Sequence, residues 1–203
     1  MTRNGTFIAI EGLDGAGKTT VIEALEEQLD ITATSEPSEE WTGEQLRRAL
    51  TSDTPTFTDF FLFMADRHFH IEELIKPEVE AGNVVVSDRF ADSTRVYQPY
   101  QLGGQLKGPL QWIEQVMDPW NYPPDYVLYL DISVTTALER ADEEEKYETR
   151  EMLEAVKANY ERVLDERRNN GDRPHYLVLD GEQPKSDVVR DALQLLEEVL
   201  NDE

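Results

Sequence analysis

The chain has 203 residues, with 43 acidic side chains against 19 basic ones, a net charge of −24, a sequence pI ≈ 4.3 and no cysteine. That length suits one domain with a full core, and the lack of cysteine excludes disulfides and thiolate chemistry within it. So acidic a surface is a poor match for duplex DNA or anionic membranes, both of which select basic patches, and no apolar run approaches the roughly 18 residues of a membrane span.

In chain order, "MTRNGTFIAI" enters the first strand, Thr6–Ile10, too soon for a secretory leader, so a cytoplasmic protein is expected. The strand lies within "FIAIEGLDGAGKTT", whose Gly12, Gly17, Lys18 and Thr19 match the phosphate-binding pattern G-x-x-x-x-G-K-[ST]. Gly12, Gly15 and Gly17 let the backbone from Gly12 through Leu13, Asp14 and Ala16 turn its N–H groups inward onto phosphate oxygens. Lys18 is placed to reach the outer phosphates of a nucleotide and the Thr19 hydroxyl to meet Mg²⁺. Thr20 opens a helix, Val21–Leu29, whose positive end adds to the anion site. The site is a local positive island in a negative protein.

A short strand, Ile31–Thr34, runs into "TSEPSE" with Glu36 and Pro37. A helix over Gly43–Leu50 carries Arg47, and a long one over Phe57–Ala81 spaces Phe60, Phe61, Met64, His68, Ile71 and Ile75 for a buried face. Phe63 and Arg67 stand four residues apart on that helix, a spacing that is more often packing but also suits a ring stacked on a base and a guanidinium bonding its polar edge. His68 and His70 project to different sides, which favours packed or solvated histidines over metal ligands. The third strand, Asn83–Ser87, delivers Asp88 where a carboxylate holds Mg²⁺ or its waters, followed by the phosphate-matching fork of Arg89. "DSTRVYQ" then opens a polar helix with Ser93, Thr94, Arg95, Tyr97 and Gln98, hydroxyls and an amide able to read a sugar or base. Helices over Trp112–Met117, Val134–Ala141, Thr149–Arg168 and Ser186–Leu200 alternate with strands Tyr126–Asp131 and Tyr176–Asp180. The expected fold is α/β, a three-layer P-loop fold with a five-stranded parallel sheet and helices on both faces, in one unit over residues 1–203. No guanine-reading Asn-Lys-x-Asp occurs, which argues against a GTP-dependent switch.

The segments "FIAIEGLDGAGKTT", "EP" with "GEQLRRAL", "LFMADR", "VVVSDRFADSTRVYQ", "PPDYVLYLD", "ALERADEEEKYE" and "YLVLDG" follow one another in the order found in thymidylate kinases, which the chain resembles over nearly its whole length. The resemblance implies ATP-dependent phosphorylation of dTMP to dTDP, for dTTP supply, by a homodimer with Mg²⁺ as cofactor. It implies that Phe63 stacks on thymine, Arg67 bonds its edge, Thr94 touches the base, and Tyr97 packs under the sugar where a 2′-hydroxyl would clash. Ser93 and Gln98 join the same substrate site. Arg47 and Arg89 would clamp the acceptor phosphate, Asp14 would sit near the 3′-hydroxyl or acceptor phosphate and the Mg²⁺ shell, and Glu36–Pro37 would shape the pocket. Another nucleoside or monophosphate kinase, or a catalytically weak nucleotide-binding paralogue, is the alternative.

The chain departs from the family's pattern in two places. "SEEW" stands where Gly-Gly-Thr often follows Glu-Pro, and the lid expected at about 141–149 reads "ADEEEKYET", where the family has arginines. Lys146 aligns with one of those arginines and Arg140 immediately precedes the lid, so both join Lys18, Asp14 and Arg89 as catalytic candidates. Arg95 has no assigned role. The dispersed acids resemble proteins adapted to high salt, where screening relieves self-repulsion.

Overall fold

The computed structural model describes residues 4–140, 149–168 and 174–201. Within them the elements run β1 (Phe7–Gly12), α1 (Lys18–Gln28), β2 (Thr32–Ser35), α2 (Trp41–Leu50), α3 (Thr56–His70), α4 (Lys76–Ala81), β3 (Val85–Asp88), α5 (Ala91–Leu102), α6 (Pro109–Met117), β4 (Tyr126–Asp131), α7 (Val134–Arg140), α8 (Arg150–Arg168), β5 (His175–Asp180) and α9 (Lys185–Asn201). The five strands form one sheet in the order β2-β3-β1-β4-β5, parallel throughout. This is the expected three-layer fold, with helices on both sides of the sheet.

The central strand β1 is buried along its whole length, and its alternating side chains divide the core. Ile8 and Ile10, with Val86, Leu128 and Leu130, belong to a cluster containing Val21 and Leu25 of α1 and Val188, Ala192 and Leu196 of α9. Phe7 and Ala9, with Val85 and Val127, join Ile71, Ile75, Val79 and Phe90 in a second cluster. There the rings of Phe7 and Phe90 meet edge to face, centroids 4.9 Å apart. A third cluster, Phe60, Met64, Leu102, Ile113 and Met117, fastens α3 to α5 and α6 and so fixes α3 beyond the edge of the sheet.

Several boundaries differ from expectation, two of them for identifiable reasons. α1 begins at Lys18, three residues ahead of Val21, because Gly17 takes a left-handed conformation (φ 93°) that turns the chain directly into the helix. The long helix expected over Phe57–Ala81 is interrupted by a π-helical segment, Ile71–Ile75, whose wide turn is marked by the Lys76 N–H bonding the Ile71 carbonyl five residues back. Pro77 follows at once, and its ring lacks an N–H and would crowd the Glu73 carbonyl in a regular α-helix.

Candidate active site

β1, β3 and β4 end at the same edge of the sheet, and the chemistry-bearing side chains gather there. The P-loop leaves β1, and Lys18 reaches back over it, donating from Nζ to the carbonyls of Leu13 (3.0 Å) and Gly12 (3.3 Å) and lying 3.7 Å from Asp14. Lys18 is buried. Burial, reinforced by nearby Arg89, pulls its ammonium below the usual lysine range, against the opposing pull of Asp14, Asp88 and Glu11. At the start of α1, Thr19 Oγ1 donates to Asp88 Oδ2 at 3.3 Å. Asp88 Oδ1 is buried and has no hydrogen-bond partner among the described residues.

Beside the P-loop opens a cleft of ≈ 470 Å³, lined among others by Asp14, Glu36, Phe63, Arg67, Arg89 and Tyr97. Pro37, Ser93, Thr94 and Gln98 also reach it, so of the expected acceptor-side residues the structure brings all but Arg47 to one cavity. Arg89 has a left-handed backbone (φ 68°), unusual for a residue with a side chain. Its guanidinium pairs with the Asp14 carboxylate, donates to Ser93 Oγ at 3.0 Å and lies 5.3 Å over the Tyr97 ring.

Arg67 forms the opposite wall and is 3% exposed. Its Nε and NH2 groups grip Glu36, with NH2 to Oε2 at 2.5 Å, and NH2 also donates to the Phe90 carbonyl at 3.0 Å. NH1 donates to Thr94 Oγ1 at 2.8 Å and faces the soft sulfur of Met117 at 3.6 Å. Burial alone would raise the Glu36 pKa, but Arg67 and His70 outweigh it and hold the carboxyl below the usual range. His70 is fully buried beneath this pair, with Nε2 2.8 Å from Thr34 Oγ1 and Nδ1 3.6 Å from Glu36, so it is a packed histidine as expected.

Arg47 does not line the cleft; its NH1 donates to the carbonyls of Ser38 (2.7 Å) and Pro37 (3.0 Å). It holds the turn where "SEEW" replaces the family's glycines. Buried Asp66 holds the same turn from inside, accepting from Ser38 N, Ser38 Oγ and Thr42 Oγ1. A Cβ at residue 43 would come within 1.9 Å of the Ser38 carbonyl oxygen, so Gly43 lets α2 approach the turn. Arg95 is absent from the cleft lining: buried, it pairs with Asp92 at 2.9 Å and faces Glu114 at 3.9 Å, tying α5 to α6.

On the other side of the P-loop lies a cavity of ≈ 290 Å³ lined by Gly15, Ala16, Thr20, Arg140, Gly181 and Lys185 among others. Arg140 sits at its edge, NH1 donating to the carbonyls of Gly181 (3.1 Å) and Gly15 (3.4 Å). Lys146 and lid residues 141–148 lie outside the described residues. Sequence reasoning missed Leu50, Asp59, Gln101 and Met152, which also line the cleft, because nothing local distinguishes them from surface positions. It also missed the buried supports Glu11 and Asp66. A signal existed for Glu11, since a carboxylate closing a wholly apolar strand must find partners.

A sequence model of the family described as "Thymidylate kinase" matches residues 10–192. The chain is 36% identical over 199 residues to a probable thymidylate kinase of Natronomonas pharaonis, covering 96% of this chain and 99% of that one. A protein of the same description from Methanoculleus marisnigri is 37% identical over 190 residues (91% and 90% covered). Another, from Halobacterium salinarum, is 34% identical over 200 residues (97% and 98%).

Proposed function

The chain belongs to the thymidylate kinase family and, as a phosphotransferase of that family, phosphorylates dTMP; we propose that the ≈ 470 Å³ cleft seats dTMP and the P-loop cavity seats ATP. The observation that carries this reading is that consecutive P-loop residues line the two spaces, Asp14 the cleft and Gly15 the other cavity, with Asp14 in contact with both Lys18 and Arg89. Arg89 holds the acceptor phosphate, displacing or sharing the Asp14 carboxylate that pairs with it. Phe63 lies on the base while Arg67, a donor-only fork fixed by Glu36, offers a carbonyl edge the NH1 hydrogen that here faces the weak acceptor sulfur of Met117. That favours thymine over cytosine, which offers an amine at the corresponding position. Tyr97, with Ser93, Thr94 and Gln98, closes on the sugar and base.

In the reaction a dTMP phosphate oxygen attacks the γ-phosphorus of ATP, the bond to the β–γ bridging oxygen breaks, and ADP leaves with the bonding pair. The attacking oxygen is already ionised at neutral pH, so positioning and charge neutralisation carry the rate. Lys18 and the P-loop amides neutralise the donor phosphates. Arg140, pinned to two backbone carbonyls at the donor cavity, supports nucleotide binding there more directly than action on the transferred group. Lys146 is left as the lid cation proposed for that task.

Two hard oxygens beside the P-loop, Thr19 Oγ1 and the Asp88 carboxylate with its unpartnered Oδ1, fit Mg²⁺ held directly or through water. When bound, the ion neutralises phosphate charge and aligns the donor. Asp88→Asn is expected to raise the Mg²⁺ concentration at half-maximal rate roughly 10–100-fold, with little change in the melting temperature. Magnesium titrations at fixed ATP and dTMP check this, and parent-like magnesium dependence would remove Asp88 from the role.

The same family argues for a homodimer, and the exposed rings of Trp41 on α2 and Phe61 on α3 offer an apolar face for it. We take residues 1–203 as one kinase unit with its lid at about 141–149, acting in the cytoplasm; no helix among the described residues is long and apolar enough to cross a membrane. Measurement of ADP and nucleoside diphosphate formation over a panel of monophosphates, in low and molar KCl, tests the reading. We expect dTMP to be preferred over dCMP, dAMP and dGMP. The net charge of −24 also predicts a melting temperature that rises toward molar KCl. Comparable turnover of a purine monophosphate, or of thymidine itself, would overturn the acceptor assignment; a flat or falling melting temperature would overturn the salt adaptation.

A further inference from the structure

Glu11 closes β1 and is 1% exposed, yet nothing in phosphate or base recognition accounts for a carboxylate there. Its Oε1 accepts from the backbone N–H groups of Phe90 (2.9 Å) and Ser93 (3.1 Å), and its Oε2 from Ser93 Oγ (2.7 Å) and Tyr160 Oη (2.9 Å). These donors come from the turn after β3, the first turn of α5 and the middle of α8. Ser93 Oγ in turn accepts from Arg89 NH1 at 3.0 Å. A serine hydroxyl has one hydrogen, and Glu11 takes it, which turns the oxygen lone pairs toward Arg89. The two N–H bonds fix the backbone immediately after the left-handed residue that carries the guanidinium.

We propose that Glu11, braced by Tyr160, is a positioning residue for phosphoryl transfer: through Ser93 and the turn at Phe90 it aims Arg89 at the acceptor phosphate. This rests on the reading of Arg89 as the acceptor clamp. A bare helix cap would need only the two N–H bonds, whereas here the second oxygen is spent on two hydroxyls, one of which touches the clamp.

Four donors on two oxygens demand the ionised carboxylate, since protonating Oε2 forces Ser93 or Tyr160 to turn round. Burial, with Asp92 behind it, pushes Glu11 up to about 7, while Ser93, Arg89 and Tyr160 pull the other way. Lys18 from α1 also feels Glu11, as does Tyr129 from β4, and Arg95 shares with Glu11 and Asp92 the wall of a hollow of ≈ 10 Å³. The clamp is therefore aimed above that pH and loosened below it, so kcat/KM for dTMP rises with pH through about 7.

The test compares pH profiles of kcat/KM for dTMP, at saturating ATP, for the parent, Glu11→Gln and Tyr160→Phe. The second ionisation of dTMP, near pH 6, is common to all three and cancels in the comparison. Glu11→Gln is expected to lose the inflection near pH 7 and to fall roughly 10–100-fold for dTMP with KM for ATP changed by less than about twofold. Tyr160→Phe, which deletes one donor to the anion without adding a group, is expected to fold and to move the inflection upward by about one pH unit. An unchanged inflection in Glu11→Gln, or a Tyr160→Phe inflection that stays or moves down, overturns the proposal. Arg89→Ala separates the two readings. If it behaves as the parent, the clamp assignment itself falls; if it is impaired while the Glu11 and Tyr160 variants keep the parental profile, only the positioning role falls.

Discussion

Arg89→Ala is expected to lower kcat/KM for dTMP by about 10³-fold while leaving a folded protein. A charge-assisted hydrogen bond contributes about 2 kcal/mol, and a fork making two of them to a phosphate about 4 kcal/mol, which corresponds to three decades in rate. The loss is amplified because Asp14, no longer paired with Arg89, faces the incoming phosphate with its negative charge less fully offset. Stability should change little, since Arg89 is held by a cleft-side carboxylate, a hydroxyl and the face of the Tyr97 ring, and is not itself a member of the hydrophobic clusters. Arg89→Lys should recover only part of the activity, because an ammonium cannot reproduce the planar fork. Initial rates with dTMP varied at saturating ATP, with thermal melts alongside, decide the matter; parent-like kinetics in Arg89→Ala would remove it from the acceptor site.

Glu36→Gln is expected to carry the largest stability effect, about 3–5 kcal/mol, because it leaves the Arg67 guanidinium charged and buried without its counter-ion. Arg67 and Glu36 are 3% and 7% exposed, so solvent cannot make good the loss. For a chain of this size that is a drop in melting temperature of roughly 10 °C or more. The acid limb of the stability curve should also change. Glu36 in the folded protein ionises below its ordinary 4.5, so its contribution is complete above that pH and is lost as pH falls through the lower folded value. Glutamine does not titrate, and the variant should lose that part of the acid dependence. Denaturant melts from pH 3 to 7 measure both effects. A variant as stable as the parent would mean that Arg67 finds another partner and that the pair is not what fixes it.

Much of this arrangement was legible in the sequence. A P-loop announces itself through bare backbone and one lysine, and Asp88 and Arg89 stand out because they end a strand on the same edge of the parallel sheet. Helical spacing puts Phe63 and Arg67 on one face, and both line the cleft, but the spacing fits packing as readily and only the resemblance directs them to a base. The supports were less so: polar side chains on a helix with so many apolar ones do not show which side they take, and only tertiary placement reveals that Asp66 and His70 are buried against β2 and the turn after it. The resemblance makes Arg47 a phosphate ligand, but its guanidinium closes on two carbonyls of a turn whose path "SEEW" does not disclose. Arg95, one turn from the cleft, was ambiguous because helical spacing does not say which of two polar neighbourhoods a long side chain enters.

The π-helical segment between α3 and α4 has a consequence for how the chain tolerates length changes. Each residue of an α-helix advances about 100° around the axis, so a wide turn holding one residue more shifts the phase of everything beyond it. Ahead of the segment Phe63 and Arg67 face the cleft; within and after it Ile75 and Val79 face the sheet. Deleting a single residue between Ile71 and Ile75 would leave a continuous helix, but α4 would be rotated by a quarter turn or so relative to α3. Either Val79 would leave the core or Arg67 would leave its buried carboxylate. Relatives that differ here by one residue are therefore expected to differ by compensating changes in the core beneath α4, while insertions in the connections before α3 and after α4 carry no such rotational penalty.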